Sequence, residues 1–471
     1  METETFQNSG MSESEWLLGH ASIGKLLAKF AIPGIISMVV NALYNIVDQI
    51  FIGQGVGYLG NGATTVLFPM TSLSLAFFFL FGDGAASYIS LKLGEGDKER
   101  ASKGACAGII GFVGLGILIM LIYLIFLSPF CRLFGASDAI LPYAMDYGRI
   151  ISIGIPFSAL CVGGSSIIRA DGNPRFNMIG LLTGCAINIV LDPIFIFVCG
   201  WGVKGAALAT VLGEIANALL NVWYLATRLK SVNIYTSLFS KSFGYMFSVA
   251  QLGVASFINN CALVIGIAVR NNVLLQYGSD SIYGSDIPLA ALGVTMKSFN
   301  IIFCIVMGLC VGAQPIFGYN YGAKNYDRVK KTFRLVIIIS LIIGCAAFCI
   351  AQLFPMAIIS IFGSESELYN EFGVMCLRIY LMMIPLLGIN LAAGILFQAL
   401  GYPAQSSIIS LSKQIIFTIP PTIILPMFMG IVGVLWAGPV SDVLSAVIAI
   451  VLLMIYWKKM FSQDKPDVSQ L

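Results

Sequence analysis

Apolar runs near or above the roughly 20 residues needed to cross a bilayer recur along the whole chain, and this feature excludes most other folds. They fall near residues 26–52, 63–92, 104–128, 142–168, 174–198 and 203–228, and again near 243–276, 288–320, 332–356, 372–398, 404–429 and 432–457. Backbone N–H and C=O groups in hydrocarbon must be satisfied within the segment, so runs of this length predict helices. The expectation is an all-α polytopic membrane protein of twelve transmembrane helices.

Composition agrees: 58% of the 471 residues are hydrophobic and 10% charged, against about 25% charged in soluble domains. The net charge of +3 is spread over short loops, which argues against nucleic acid as a partner. Eleven cysteines include no CxxC pair, and those inside apolar runs (Cys106, Cys185, Cys261, Cys304) read as reduced, buried small hydrophobes. No GxxxxGK[ST] loop is present, so ATP is not expected as a partner. The single histidine, His20, precedes the first span, which leaves no evident catalytic set; an enzyme is not expected. Glu2, Glu4, Glu13 and Glu15 stand where a cleaved signal peptide would be basic.

Cations accumulate in alternate loops. Lys92, Lys98, Arg100 and Lys103 follow span two, Arg169 and Arg175 span four, and Arg228, Lys230 and Lys241 span six. Lys324, Arg328, Lys330, Lys331 and Arg334 follow span eight, and Lys458, Lys459 and Lys465 span twelve. By the positive-inside rule these loops, and both termini, are expected in the cytoplasm. The chain also repeats itself. GDGAASYISLKLGEGDKERASK from Gly82 lines up with GLCVGAQPIFGYNYGAKNYDRVKK from Gly308. Arg149, Pro156, Gly172 and Pro174 match Arg378, Pro385, Gly401 and Pro403 at one constant separation. Six spans per repeat make the repeats parallel, related by an axis along the membrane normal, with substrate expected between them. The predicted organisation is a cytoplasmic segment 1–25, a first six-helix bundle 26–228, a linker 229–242, a second bundle 243–457 and a cytoplasmic tail 458–471.

Four segments carry a family likeness: AIPGIISMVVNALYNIVDQIFIGQ in span one, NIVLDPIFI in span five, GYNYGAKNYDRVKK after span eight and IPLLGINLAAGILFQALGYP in span ten. They resemble multidrug and toxic compound extrusion (MATE) proteins over roughly residues 25–457, in wording closest to the bacterial DinF-like or MepA-like branch. The resemblance implies a V-shaped pair of six-helix bundles in the bacterial plasma membrane. It also implies export of amphipathic, mostly cationic compounds in exchange for protons or sodium ions, with no cofactor and a monomeric protein among membrane lipids.

A carboxylate within lipid costs at least about 2.5–3.5 kcal/mol, so it normally faces protein or a wet cavity and marks an ion path. Asp48 and Asp192 are such residues. On span one, Asn41, Tyr44, Asn45 and Asp48 recur at helical spacing, predicting a polar face along a cavity. On span five, Asn188 lies one turn before Asp192, and Pro193 removes the helical bond to the Ile189 carbonyl. On span six, Thr210, Glu214, Asn217 and Asn221 form a second stripe. Thr210 matches a family position that contributes oxygen near the span-five carboxylate. Asp48, Asn188, Asp192 and Thr210 are therefore the candidate coupling site, an all-oxygen set suited to a proton or a sodium ion. Asn41, Tyr44, Asn45, Glu214 and Asn217 are secondary cavity candidates.

In the internal alignment Asp48 falls opposite Ile267, Asn188 opposite Phe417 and Asp192 opposite Pro421, so coupling is expected in the first half alone. This departs from the NorM-like branch, whose second half carries acidic residues. Arg270, Lys297 and Lys413 lie in or near second-half spans and read first as structural, although Lys413 matches a basic family position. Asp83 and Asp442, near predicted span ends or bends, also read as structural. The rival reading is a flippase for a lipid-linked or anionic substrate, which a strongly basic cavity would favour.

Overall fold

The computed structural model describes residues 13–461 apart from 135, 235, 280, 285 and 363–366. Residues 1–12 and 462–471, with Glu2, Glu4 and Lys465, lie outside the described residues. Among the described residues twelve helices are long and apolar enough to cross a membrane. In the first half they are span one (Ile23–Val56), two (Leu59–Gly94), three (Lys98–Leu133), four (Leu141–Ala170), five (Pro174–Val198) and six (Gly202–Thr227). In the second half they are span seven (Phe243–Ser279), eight (Ala291–Gly322), nine (Tyr326–Leu353), ten (Glu367–Ala399), eleven (Pro403–Met429) and twelve (Ile431–Phe461). Most outrun the apolar stretches predicted for them, because capped helix continues past the hydrocarbon into the loops. No strand occurs among the described residues, so the fold is all-α as expected. Three short helices were not anticipated: Glu13–His20, Thr236–Ser242 within the linker, and Pro355–Phe362.

Local chemistry explains where the helices begin. Asp97 and Asn173 accept N-cap bonds from the backbone N–H groups of Arg100 and Phe176, at 2.9 and 3.2 Å. The turns before spans five and eleven use the same device twice. Gly172 (φ 90°) and Gly401 (φ 83°) adopt the left-handed conformation glycine tolerates, and two residues later a proline opens the next helix. In the second half, Lys324 (φ 60°) takes the left-handed place that Gly96 (φ 83°) holds in the first.

The halves meet through small residues. A Cβ on Gly34 would lie 2.9 Å from the Gly308 carbonyl oxygen, and one on Gly312 2.7 Å from Ala31 Cα, so spans one and eight touch backbone to backbone. Gly84 and Gly253 do the same for spans two and seven, against Val249 and Leu80, and Gly94 and Gly322 for spans two and eight. All these approaches lie at the starts of spans one and seven and the ends of two and eight, the end that carries the basic loops. Farther from that end Asn41, Asn45 and Asn300 are exposed. Amides at such depth belong in a wet cleft, and the two bundles form a V that opens there.

Asn320 Nδ2 and Arg328 Nη2 donate to the Leu18 carbonyl at 2.9 and 3.2 Å, and Arg328 Nη2 to that of Ala21 at 2.7 Å. The first helix is thus fastened beneath the second half. The cysteine expectation needs correction: Cys106, Cys185 and Cys304 are buried, but Cys261 is only partly so, and Cys199, Cys345 and Cys349 are exposed. A membrane protein's outer face is itself apolar, so a small hydrophobe on it meets no penalty.

Candidate coupling site between spans one, five and six

Span five carries Asn188 and Asp192 on its inner side, 2% and 1% exposed, and continues after Pro193 into a wider turn over Ile194–Val198. Span six comes close enough to meet them because Gly184 and Gly213 face one another; a Cβ on Gly213 would stand 2.6 Å from the Gly184 carbonyl oxygen. Asn188 Nδ2 reaches Thr210 Oγ1 at 3.1 Å and Asp192 Oδ1 at 3.4 Å. Span one adds Asp48, 9% exposed, whose carboxylate lies within hydrogen-bonding reach of Asp192. Four of the predicted residues, Asp48, Asn188, Asp192 and Thr210, therefore form one cluster.

Tyr44 stands beside Thr210 at its edge. Tyr147 of span four, which sequence reasoning missed, also stands beside Thr210. A signal for it existed: Tyr147, Gly154, Ser158 and Cys161 recur at helical spacing and put a small, partly polar stripe on span four. Gly154 and Ser158 are the neighbours of the Glu214 side chain. Asn217 packs against Gly180 and Gly184, farther along the contact between spans five and six. Asn41 and Asn45 stand apart: both are exposed, and Asn45 Nδ2 donates to the Asn41 carbonyl at 2.7 Å.

The cluster is rich in acceptors and poor in donors. Asp48 Oδ1, Asn188 Oδ1 and Asp192 Oδ2 are buried without a hydrogen-bond partner, as is Asn217 Oδ1 farther along the same helix contact. Each such oxygen costs about 1–3 kcal/mol unless something positive or a donor meets it. Among the described residues no three His, Cys, Asp or Glu side chains converge as a divalent metal would require. Two carboxylates with amide and hydroxyl oxygens suit one small positive charge.

The sequence model of the MatE family matches residues 33–194 and 281–424, one stretch in each half. The chain belongs to the MATE family. Multidrug export protein MepA of Staphylococcus aureus strain MSSA476 is 26% identical over 433 residues, covering 91% of this chain and 93% of that protein. MepA of Staphylococcus haemolyticus is 26% identical over 437 residues, covering 92% and 94%. Among solved structures, an outward-facing multidrug resistance MATE transporter superposes with a TM-score of 0.89 at 23% identity, covering 96% of this chain and 99% of that one. A transporter from Pyrococcus furiosus, described as having a binding pocket of reversed polarity, gives 0.89 at 23% identity, covering 97% and 100%. This MATE protein is a multi-pass membrane transporter and not an enzyme.

Proposed function

We propose that this MATE protein is a secondary antiporter that expels amphipathic, mostly cationic compounds from a bacterial cell in exchange for protons or sodium ions. The observation that carries the reading is the donor-poor cluster of Asp48, Asn188, Asp192 and Thr210, buried in the first half beside the cleft. Its unmet acceptor oxygens call for one mobile positive charge, and a proton on Asp192 or a sodium ion among the four residues supplies it. The export relatives named MepA support the substrate class, and the basic loops support a cytoplasmic position for the closed end of the V. In that orientation the cleft opens outward. An external ion fills the cluster, draws spans one, five and six together and weakens the hold on substrate. Return to the inward-open form releases the ion.

The decisive experiment is uptake of a fluorescent organic cation into inside-out proteoliposomes under an imposed proton or sodium gradient. Gradient-driven uptake is expected, with the driving gradient naming the ion, and Asp192→Asn should abolish it while leaving the purified protein folded. Wild-type ion-driven uptake by that variant would remove Asp192 from coupling. No uptake under either gradient would favour the flippase reading, with a lipid-linked or anionic substrate.

A further inference from the structure

The internal repeat places Gly184 opposite Lys413 and Gly213 opposite Asp442, at the same constant separation that relates Gly172 to Gly401 and Pro174 to Pro403. In the first half the two glycines let spans five and six touch. In the second half the equivalent residues form an ion pair, Lys413 Nζ to Asp442 Oδ1 at 2.9 Å, with side chains 18% and 13% exposed. Two charged side chains now occupy a crossing that is backbone to backbone in the other half. The turn bearing Lys413, Ser412–Ile416, is widened, and the Lys413 carbonyl accepts from Thr418 Oγ1 at 2.6 Å and Ser441 Oγ at 3.2 Å.

Beside the pair lies a chamber of about 70 Å³ lined by Ser256, Asn259, Asn390, Gln398 and Lys413, with Met307 on its apolar side. That volume has room for a small polar group. Asn390 is 3% exposed; its Nδ2 donates to Ser445 Oγ at 3.0 Å, but its Oδ1 has no partner. The lining thus contains a buried acceptor in want of a donor. It also contains an ammonium with three N–H donors, which Asp442 neutralises without using them all. A bare cation finds a neutral ion pair here, and a carboxylate finds no donor to offer Asn390. A carboxamide carries both complements, a carbonyl oxygen for a Lys413 N–H and an N–H for Asn390 Oδ1.

We propose that this second-half chamber is a substrate subsite that takes an uncharged carboxamide, or a like group presenting a carbonyl beside a donor, from the polar end of an exported amphipath. The inference rests on reading the chain as an exporter of amphipathic compounds, and adds a chemical preference separate from the coupling cluster.

The test is equilibrium binding by fluorescence anisotropy to the full-length protein in lipid nanodiscs. The probes are two versions of one fluorescent amphipathic cation, with a side arm ending in carboxamide or in the near-isosteric isopropyl group. Wild type is expected to bind the carboxamide version about tenfold more tightly. Asn390→Leu should reduce that advantage to about twofold or less, with the isopropyl version bound as before. The double variant Lys413→Met, Asp442→Leu removes the pair without stranding a buried charge, and should do the same. An advantage that survives in both variants, or is absent in wild type, overturns the proposal, as does an equal loss for both probes. If neither cation binds, the cationic substrate class fails on its own; an uncharged carboxamide amphipath run through the same variants then tests the chamber alone.

Discussion

Tyr147 shows what a single hydroxyl contributes to the coupling cluster. Its ring is buried on span four beside Thr210, whose hydroxyl oxygen accepts from the Asn188 amide. Tyr147→Phe keeps the packing and removes a hydroxyl from beside the cluster, where a hydrogen bond made in the ion-loaded site would be worth about 0.5–1.5 kcal/mol. The ion concentration for half-maximal transport should therefore rise between about two- and tenfold with the protein's thermal stability little changed; an unaltered ion dependence would place Tyr147 outside the site. Spacing along one helix made Asp48, Asn188 and Asp192 visible as candidates, since carboxylates and amides are costly in lipid wherever they point. It could not separate Tyr44 and Asp48, which turn inward to the cluster, from Asn41 and Asn45, which are exposed. A helical face about 100° wide names a side of the helix without saying which neighbour it meets.

Contacts between whole helices depend on absent side chains. Gly308 lies against Ile35, where an added Cβ would stand 2.6 Å from the Ile35 Cα, and backbone there has no rotamer with which to yield. Gly308→Ala should push spans one and eight apart at the closed end and cost about 1–3 kcal/mol, as overpacking does; a fall in melting temperature together with slower transport checks it. The helix Glu13–His20 is held to span nine by a different means, the Arg328 guanidinium on the Leu18 and Ala21 carbonyls. Arg328→Ala removes bonds from a charged donor, worth about 1.5–3 kcal/mol each. Limited proteolysis before residue 23 should then become faster while the spans stay protected. The helix itself escaped sequence reasoning because eight residues carry too little periodicity to stand out, and docking supplies its stability.

Across the molecule, one buried carboxylate ties the halves together. Asp83 of span two accepts from Ser166 and Arg169 of span four at 3.0 and 3.5 Å, and from Ser256 of span seven at 3.0 Å. Gln398 of span ten donates to that same Ser256 at 3.2 Å. Parting the halves at this end must break the bond between Asp83 and Ser256. Asp83→Ala should shift the equilibrium toward the form open at the basic loops by about 1–3 kcal/mol. Spin labels in the loops after spans two and eight should report a longer, more populated separation, and an unchanged distance distribution would deny Asp83 this role. The driving force also acts on the whole molecule. A proton supplies about 1.4 kcal/mol per pH unit and about 2.3 kcal/mol per 100 mV. One-for-one exchange with a monovalent cation cancels the electrical part and sustains only about a tenfold gradient per pH unit. Two adjacent carboxylates have room for a second ion, so charge moved per substrate in liposomes should be non-zero if both are used, and strictly electroneutral export would restrict the cluster to one.

The number and order of the spans, their pairing into repeats and the presence of acidic residues in the first half were legible from residue order alone. Membrane insertion depends on the length and polarity of each segment, and both are local properties. The close glycine contact of Gly184 with Gly213, its replacement by Lys413 and Asp442, the arrival of Tyr147 at Thr210 and the Asp83 bridge were decided by tertiary structure. Each joins two different helices through the way they cross, and a shift of one residue at a crossing would separate the partners.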